Sequence, residues 1–550
     1  MVEHERWLGR SRATEALAVG SMVAIAYLLL RTAPALAAGA FMDDGVYLSL
    51  GKALADGEGY RSLYAAGAPV HLKYPPALPF IYSLLWSFRD DVAFVHSTAL
   101  LLSLGAAAGT AGMLWWIARA QLQLPPVLTG VFVLGPFLLE GSVQYFNLAV
   151  SEPWFMLGWA SCLLLAPRAN AGWAWAAVVG LLAGVTTLFR TQAVVLLPAL
   201  AVSLWMATRK PRRSAALLAA GMFPLVAWSL WHRAQVAMGP VSTQPDEATY
   251  SSWGPDSVGA GVTLFGQILR SQVARYSAVL PHHVAPWPWL GAAIWLVVVL
   301  GFLLGATRHV RDRPASVLSV ASLGIVVLLW PFAQDRFVLA LLPFSGLVAA
   351  SGFRSLERTR VTTGRHPGAT TLWAGLVLMV AVVSFRQVQI RGLAANEQPG
   401  DSTFYFHPAQ FLPNNTEFVI AASRWIGAEA RPADRLLAPL TSALWLYTGR
   451  AGVNATPSEP NVGPSALDEP GRYLASRVIE DDVTLLLLWN PNFLITRDAA
   501  TVQRACPEAL EFLGRTDEPA RIAIFRIHRE DGCFVDRFLE PARTVTQRTP

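Results

Sequence analysis

The chain has 550 residues, of which 53% are hydrophobic and only 15% are charged. Soluble globular domains carry about 25% charged residues, so this composition excludes an ordinary soluble protein. The net charge of +6 comes from clusters of Lys and Arg between apolar segments. Such clusters are typical of loops that orient membrane helices, and they do not indicate a nucleic-acid partner. Three cysteines are too few for a disulfide framework or a Cys-rich metal site.

Apolar runs separated by charged or Pro/Gly-rich breaks predict a polytopic α-helical membrane protein with about eleven transmembrane helices. The first run is interpreted as a retained helix, not a cleaved signal peptide, because many more apolar spans follow it. Residues 76–88 are apolar but too short to cross a bilayer, so they predict an interfacial or re-entrant helix. The candidate spans lie near 16–40, 92–118, 126–140, 150–166, 172–189, 191–207, 214–236, 287–306, 315–333, 337–353 and 369–390.

The distribution of charge predicts the orientation. Basic residues concentrate in alternate loops, which are expected to be cytoplasmic together with the N-terminus. The first outer segment, at 41–90, is instead rich in acidic residues such as Asp56 and Glu58. An odd number of spans then places the C-terminus outside.

Residues 391–550 differ from the first 390, because charged residues become frequent and Pro and Asn interrupt short β-type runs. The β-type runs are Val483–Trp489, Phe493–Thr496 and Ile522–Ile527, and apolar residues recur at helical spacing over Glu417–Glu429. The predicted organisation is a transmembrane module at 1–390 followed by an extracytoplasmic α/β domain at 391–550. Cys506 and Cys533 would share an oxidising compartment, so a disulfide is plausible and two buried free thiols are the alternative.

The first outer segment contains the most informative residues. Asp43 and Asp44 follow the point where the first helix leaves the bilayer. A carboxylate there can take a proton from an acceptor hydroxyl or amine beside a membrane-held donor. Because adjacent helical residues point about 100° apart, only one of the two is expected to face a given cavity. A solvated helix end is the competing interpretation, and the acidic pair alone does not exclude it.

A set of motifs in a particular order resembles the GT-C superfamily of membrane glycosyltransferases. The similarity is greatest to the protein O-mannosyltransferases and the lipid A aminoarabinose transferases. The motifs are Asp43-Asp44 with Tyr47, Lys73-Tyr74-Pro75-Pro76, Ser151-Glu152-Pro153, Leu188-Phe189-Arg190, and Asp335-Arg336-Phe337 with Pro343. Each motif is weak alone, and their order along the chain gives the resemblance its specificity.

The resemblance implies an inverting transfer from a sugar carried on polyprenyl phosphate. Asp43 matches the catalytic acidic position and is expected to act as the base. Asp44 departs from the more usual Glu of the pair, which leaves open which of the two acts. Glu152 is expected to orient the acceptor, and Tyr47 and Tyr74 are expected to line the substrate pocket.

Cations are needed near the leaving phosphate, where negative charge develops. Lys73, Arg190 and Arg336 are the candidates, because all three are expected at outer helix ends. Interfacial anchoring of each side chain in the headgroup region is the alternative. Arg31 is a further candidate because it lies inside the first predicted span, where a charge is costly.

No cofactor is expected apart from the lipid-linked sugar, which is a co-substrate. His282 and His283 lack a nearby carboxylate and make a poor metal-ligand set. The expected partners are a polyprenyl-phosphate sugar, membrane lipid, and an envelope glycan, lipid or protein as acceptor. On the family resemblance, the expected location is a bacterial inner (plasma) membrane.

Two other classes of function compete with transfer. A transporter or flippase of a lipid-linked sugar would show two related halves with broken helices in corresponding positions, and this sequence lacks that symmetry. A non-catalytic membrane scaffold would tolerate the change Asp43→Asn.

Overall fold

The computed structural model describes residues 2–30, 36–238, 265–274, 276–277, 288–329, 335–361, 408–455, 471–489, 494–516, 521–528, 533–534 and 538. Arg31, His282, His283 and the predicted span at 369–390 lie outside these residues.

Helices make up most of the described parts of the first 361 residues, and residues 56–76 form an irregular segment between two of them. The helices are α1 (Val2–Leu30), α2 (Asp43–Ala55), α3 (Ala77–Phe88), α4 (Val92–Trp116), α5 (Pro126–Thr129), α6 (Glu140–Phe146), α7 (Glu152–Ala169), α8 (Trp173–Thr187), α9 (Leu196–Thr208), α10 (Pro211–Met238), α11 (Pro288–His309), α12 (Pro314–Leu329) and α13 (Asp335–Val361). π-helical turns at Ile117–Gln121 and Gly130–Leu134 and 3₁₀ turns at Gly135–Leu138 and Thr191–Val195 connect some of them.

Several of these helices are long and apolar enough to cross a bilayer. Among the described residues, four helical stretches meet this requirement: Val92–Gln121, Thr191–Thr208, Pro211–Gln235 and Arg336–Ser355. Five shorter apolar helices accompany them, including Ala77–Phe88, which matches the short helix expected at 76–88. These helices support a membrane protein, while the number of eleven spans stays a prediction.

The C-terminal part combines helices with one mixed sheet. Its helices are α14 (Pro408–Glu429), α15 (Thr441–Thr448), α16 (Arg472–Asp481) and α17 (Leu494–Ala505). Its strands are β1 (Leu436–Ala438), β2 (Gly452–Asn454), β3 (Leu485–Leu488), β4 (Leu510–Arg515) and β5 (Ala523–Ile527). The strand order is β2-β1-β3-β5-β4, with β1 parallel to β2 and β3, and with β5 antiparallel to β3 and β4.

One local prediction in this part is wrong. Leu494–Thr496, predicted as β-type, forms the first turn of helix α17. The segment is helical because the residues that come next continue a helical pattern. Ile495, Ala499 and Val502 recur at helical spacing and are buried on one face of α17. Cys506 and Cys533 form a disulfide, which decides between the two alternatives that the sequence left open.

Candidate active site

Asp43 lies in the first turn of α2, where a carboxylate is favoured by the positive end of the helix dipole. Its Oδ2 atom forms an ion pair with Nη2 of Arg336 at 2.6 Å. Its Oδ1 atom accepts a hydrogen bond of 2.7 Å from the hydroxyl of Tyr74. Asp43 therefore contacts a residue almost 300 positions later in the chain.

Glu152 occupies the equivalent place in α7, the first turn, and is 1% exposed. Its Oε1 atom lies 2.5 Å from Nη1 of Arg190 and 3.1 Å from Nε of Arg336. Arg336 thus bridges Asp43 and Glu152 with different nitrogen atoms. Two carboxylates and two guanidinium groups from four separate elements form one buried charge cluster.

Tyr47 is connected to this cluster through Ser151. Its hydroxyl donates to Oγ of Ser151 at 3.0 Å, and Nη1 of Arg190 donates to the same oxygen at 3.2 Å. The ring of Tyr47 lies 5.0 Å from the ring of Tyr74, so the two predicted pocket tyrosines are neighbours.

Two phenylalanines hold the guanidinium groups against the cluster. Arg190 lies 4.5 Å from the ring centre of Phe337, and Arg336 lies 5.1 Å from that of Phe41. Such cation–π contacts orient a guanidinium group and strengthen when water is excluded. Phe41 was not predicted as a site residue, and its only sequence signal is its place two residues before Asp43.

A cleft with about 340 Å³ of empty space, part of it open to solvent, adjoins the cluster. Glu152, Arg190 and Gln192 form its polar end. The rest of its lining is apolar and comprises Phe155, Trp159, Leu323, Val327, Phe337, Ala340 and Leu341. Oε2 of Glu152 is buried and has no hydrogen-bond partner among the described residues, so it can accept one from a bound molecule.

Lys73 stands at the edge of the cluster. Its Nζ atom lies 5.5 Å from the ring centre of Tyr74, and its charge acts on Asp43 and His71. His71 is buried, and burial with the nearby Lys73 charge lowers the pKa of its imidazole to about 3. Nε2 of this neutral ring accepts from the backbone N–H of Tyr74, so Nδ1 carries the proton and donates to Ser62. His71 was missed in the sequence, and it fixes the backbone that presents Lys73 and Tyr74.

Asp43 and Asp44 have opposite surroundings. Burial raises the pKa of Asp43, but the Arg336 charge and the Tyr74 hydrogen bond outweigh burial and leave the pKa below its usual value. Asp44 instead accepts from the backbone N–H groups of Gly39 and Phe41, and its Oδ2 lies 4.0 Å from His96. Burial raises the pKa of Asp44 to about 7, although those backbone hydrogen bonds oppose the rise.

The structure therefore brings together most of the predicted site residues. Asp43, Glu152, Arg190 and Arg336 are in direct contact, Tyr47 and Tyr74 adjoin them, and Lys73 lies at the edge. Asp44 is held by backbone groups beside the cluster. No set of three His, Cys, Asp or Glu residues suited to a metal ion occurs within the described parts of the chain.

Comparison with solved structures identifies the class of fold. No protein-family model matches the chain, and no curated protein matches it. The fold is that of the GT-C membrane glycosyltransferases, as the predicted resemblance implied.

A particular neighbour is ArnT, the lipid A aminoarabinose transferase, from Cupriavidus metallidurans in the apo state. That structure has a TM-score of 0.51 and 12% identity, and the match covers 94% of this chain and 98% of the other. ArnT bound to undecaprenyl phosphate matches over the same shares at a TM-score of 0.48 and 12% identity. The oligosaccharyltransferase of Archaeoglobus fulgidus, in complex with zinc and sulfate, has a TM-score of 0.44 and 12% identity, covering 86% of this chain and 67% of that one. At 12% identity the similarity to ArnT concerns the fold alone.

Proposed function

We propose that the chain is an inverting glycosyltransferase that moves a sugar from a polyprenyl-phosphate donor to an envelope glycan, lipid or protein. The observation that carries this proposal is the position of Arg336, which contacts Asp43 at 2.6 Å and Glu152 at 3.1 Å in one charge cluster. A base, two guanidinium groups and an apolar cleft then adjoin one another, as transfer from a lipid-linked phosphate requires.

The cleft supports a donor that is polar at one end and hydrocarbon at the other. Arg190 and Gln192 at its polar end offer hydrogen-bond donors to phosphate oxygens. The apolar walls, including Trp159 and Leu323, suit the first units of a polyprenyl tail. Glu152 has a buried oxygen available for an acceptor hydroxyl or amine.

The reaction follows from these groups. The acceptor oxygen or nitrogen forms a bond to the anomeric carbon, the bond from that carbon to the phosphate oxygen breaks, and polyprenyl phosphate leaves with the electron pair. Asp43 takes the acceptor proton. Because Arg336 and Tyr74 keep the pKa of Asp43 low, its carboxylate is charged at neutral pH and accepts the proton late in the transition state.

Proton uptake and departure of the phosphate are coupled through Arg336. In the resting cluster Asp43 and Glu152 balance the charges of Arg190 and Arg336, and Lys73 adds a positive charge nearby. When Asp43 becomes neutral, Arg336 loses one of its two carboxylate partners. Its charge then becomes available to the phosphate, which gains negative charge as the bond breaks.

The disulfide between Cys506 and Cys533 supports an outward-facing C-terminal part, because disulfides persist in oxidising compartments. We therefore propose that transfer takes place at the outer face of the membrane. The N-terminus is then cytoplasmic and the C-terminal domain periplasmic or extracellular. A metal has no part in this proposal.

Transfer in proteoliposomes tests the proposal directly. Wild-type protein and the Asp43→Asn variant are supplied with a panel of radiolabelled polyprenyl-phosphate sugars and an envelope extract as acceptor. A general base typically contributes about 10²–10⁴-fold, so kcat should fall by that factor in the variant. Asp56→Asn is the matched control, since Asp56 pairs with Lys52 at the surface and should not affect transfer.

Other results favour the competing functions. Equal activity of wild type and Asp43→Asn would contradict the assignment of the base. Movement of intact donor across the bilayer without release of polyprenyl phosphate would indicate a flippase, and no consumption of any donor would favour a scaffold.

A further inference from the structure

The backbone immediately before Asp43 is strained. Met42 has φ 75° and ψ −65°, and the N–H of Asp43 donates to the carbonyl oxygen of Phe41 at 3.1 Å. These values define the classic γ-turn, which is rare and strained for a residue with a side chain. The turn sets the direction in which Asp43 leaves the backbone at the start of α2. Such strain persists only where surrounding structure holds it.

Three side chains of the C-terminal part hold this turn by hydrogen bonds. The N–H of Ala37 donates to Oγ1 of Thr416 at 3.2 Å, and the N–H of Ala38 donates to the hydroxyl of Tyr447 at 2.9 Å. The amide of Asn415 donates to the carbonyl oxygen of Ala40 at 2.7 Å. Buried backbone groups need such partners, and here a segment nearly 400 residues later supplies them.

Asp44 accepts hydrogen bonds from two further backbone N–H groups of this segment. Its two carboxylate oxygens accept from the N–H groups of Gly39 and Phe41, at 2.9 Å and 3.1 Å. The N–H groups of Ala40 and Met42 donate within the turn itself. Every N–H from residue 37 to residue 43 therefore has a partner, and two of them depend on the C-terminal part.

Packing adds a second restraint from the same side. The side chain of Met42 packs against an apolar cluster of the C-terminal part that includes Phe418, Leu440 and Ala443. Gly39 has φ +84°, and a methyl group on it would lie 2.4 Å from Cβ of Ala443. Helix α15 thus approaches the turn so closely that only glycine fits at position 39.

We propose that Thr416, Tyr447 and Asn415 are positioning residues for Asp43, and that the C-terminal domain completes the active site by holding the Met42 γ-turn. The proposal rests on the proposed function in so far as Asp43 is the reacting carboxylate. It assigns the C-terminal domain a role in catalysis without any contact to the substrate.

The first test compares two threonines of the C-terminal part. Thr416 and Thr484 each accept a hydrogen bond from a backbone N–H, but Thr484 accepts from Arg435 and does not touch the turn. Thr416→Val should lower kcat by about 10-fold without changing KM for the donor, because small misplacements of a reacting group are costly. Thr484→Val should match wild type, and Thr416→Ser, which keeps the hydroxyl, should retain activity.

The pH profile separates positioning from a loss of stability. The groups that act on Asp43 are Arg336 from α13, Tyr74 and Lys73 from the first outer segment, and the adjacent Asp44. If the turn relaxes, Asp43 moves from Arg336 and its pKa rises. The acidic limb of the kcat/KM profile should then move to higher pH in Thr416→Val and Tyr447→Phe. If both variants keep the wild-type kcat and the wild-type position of the acidic limb, the proposal is overturned.

A second test does not depend on activity. Hydrogen exchange measured by mass spectrometry should be faster at the amides of residues 37–42 in Thr416→Val and Tyr447→Phe than in wild type or Thr484→Val. Unchanged exchange would overturn the proposal even if transfer is observed. If wild-type protein transfers no sugar, the proposed function fails, while the exchange result still decides whether the turn depends on the C-terminal domain.

Discussion

The first turn of α2 has two sides with different chemistry. On the cluster side, Asp43 pairs with Arg336 and Tyr74, which are side chains from distant parts of the chain. On the other side, Asp44 accepts from backbone N–H groups of the turn that precedes it. Burial is common to both, so the difference in their pKa values arises from the partners.

This contrast shows how two adjacent and identical residues acquire different electrostatic environments. Successive side chains of a helix point about 100° apart, so the two carboxylates enter different environments. In the proposed function, Arg336 keeps Asp43 charged so that it can take a proton. Asp44 contributes to the hydrogen bonds that we propose hold the backbone before Asp43 in place.

The largest expected effect comes from removing the cation on the cluster side. Arg336→Ala leaves Asp43 and Glu152 buried without the charge they share. Removing one partner of a buried ion pair typically costs about 3–5 kcal/mol, so the free energy of unfolding should fall by that amount. SDS titration in mixed micelles measures it, and transfer should also be lost.

A double variant sharpens this prediction. Arg336→Ala with Asp43→Asn removes the carboxylate that loses its ion-pair partner, while Glu152 keeps Arg190, so part of the lost stability should return. If the double variant is no more stable than Arg336→Ala, the buried Asp43 carboxylate does not depend on Arg336 for its stability.

The next effect concerns Asp44 and the pH dependence of stability. Its pKa is raised from 3.8 to about 7 in the folded protein, so the folded state binds this proton more tightly than the unfolded state. Binding of this proton stabilises the folded state fully below about pH 4, and the stabilisation is lost as the pH rises through about 7. At about 1.4 kcal/mol for each pKa unit, it amounts to at most about 4 kcal/mol.

Thermal unfolding between pH 5 and pH 8 measures this contribution. The melting temperature of wild type should fall more steeply with pH than that of Asp44→Asn. Asp43 does not interfere, because its lowered pKa places its own contribution below this range. Parallel curves for the two proteins would show that Asp44 does not titrate there.

The smallest expected effect is on donor binding and comes from replacing Lys73 at the edge of the cluster. Lys73→Gln removes a positive charge that acts on Asp43 from beside Tyr74. We expect KM for the donor to rise about 10-fold, or about 1.4 kcal/mol, with little change in kcat. Lys52→Gln is the control, since Lys52 pairs with Asp56 and Asp90. Equal effects of the two variants would remove Lys73 from the donor site.

Much of the site could be predicted, because its residues belong to short motifs. Asp43, Glu152, Arg190 and Arg336 were each singled out, and they are in contact in the structure. Their roles stay predictions until transfer is measured. Phe41 and His71 were missed, because a cation–π contact and a buried neutral imidazole leave no pattern of spacing in the sequence.

The sequence by itself determined the membrane class and the helical content, since both follow from local composition and the length of apolar runs. Only the tertiary structure decided that Arg336 meets Asp43 and Glu152, and that Thr416 and Tyr447 reach the turn before Asp43. The physical reason is distance along the chain. A local pattern reports the preference of each segment, whereas these features depend on contacts between segments that lie hundreds of residues apart and are fixed only by packing.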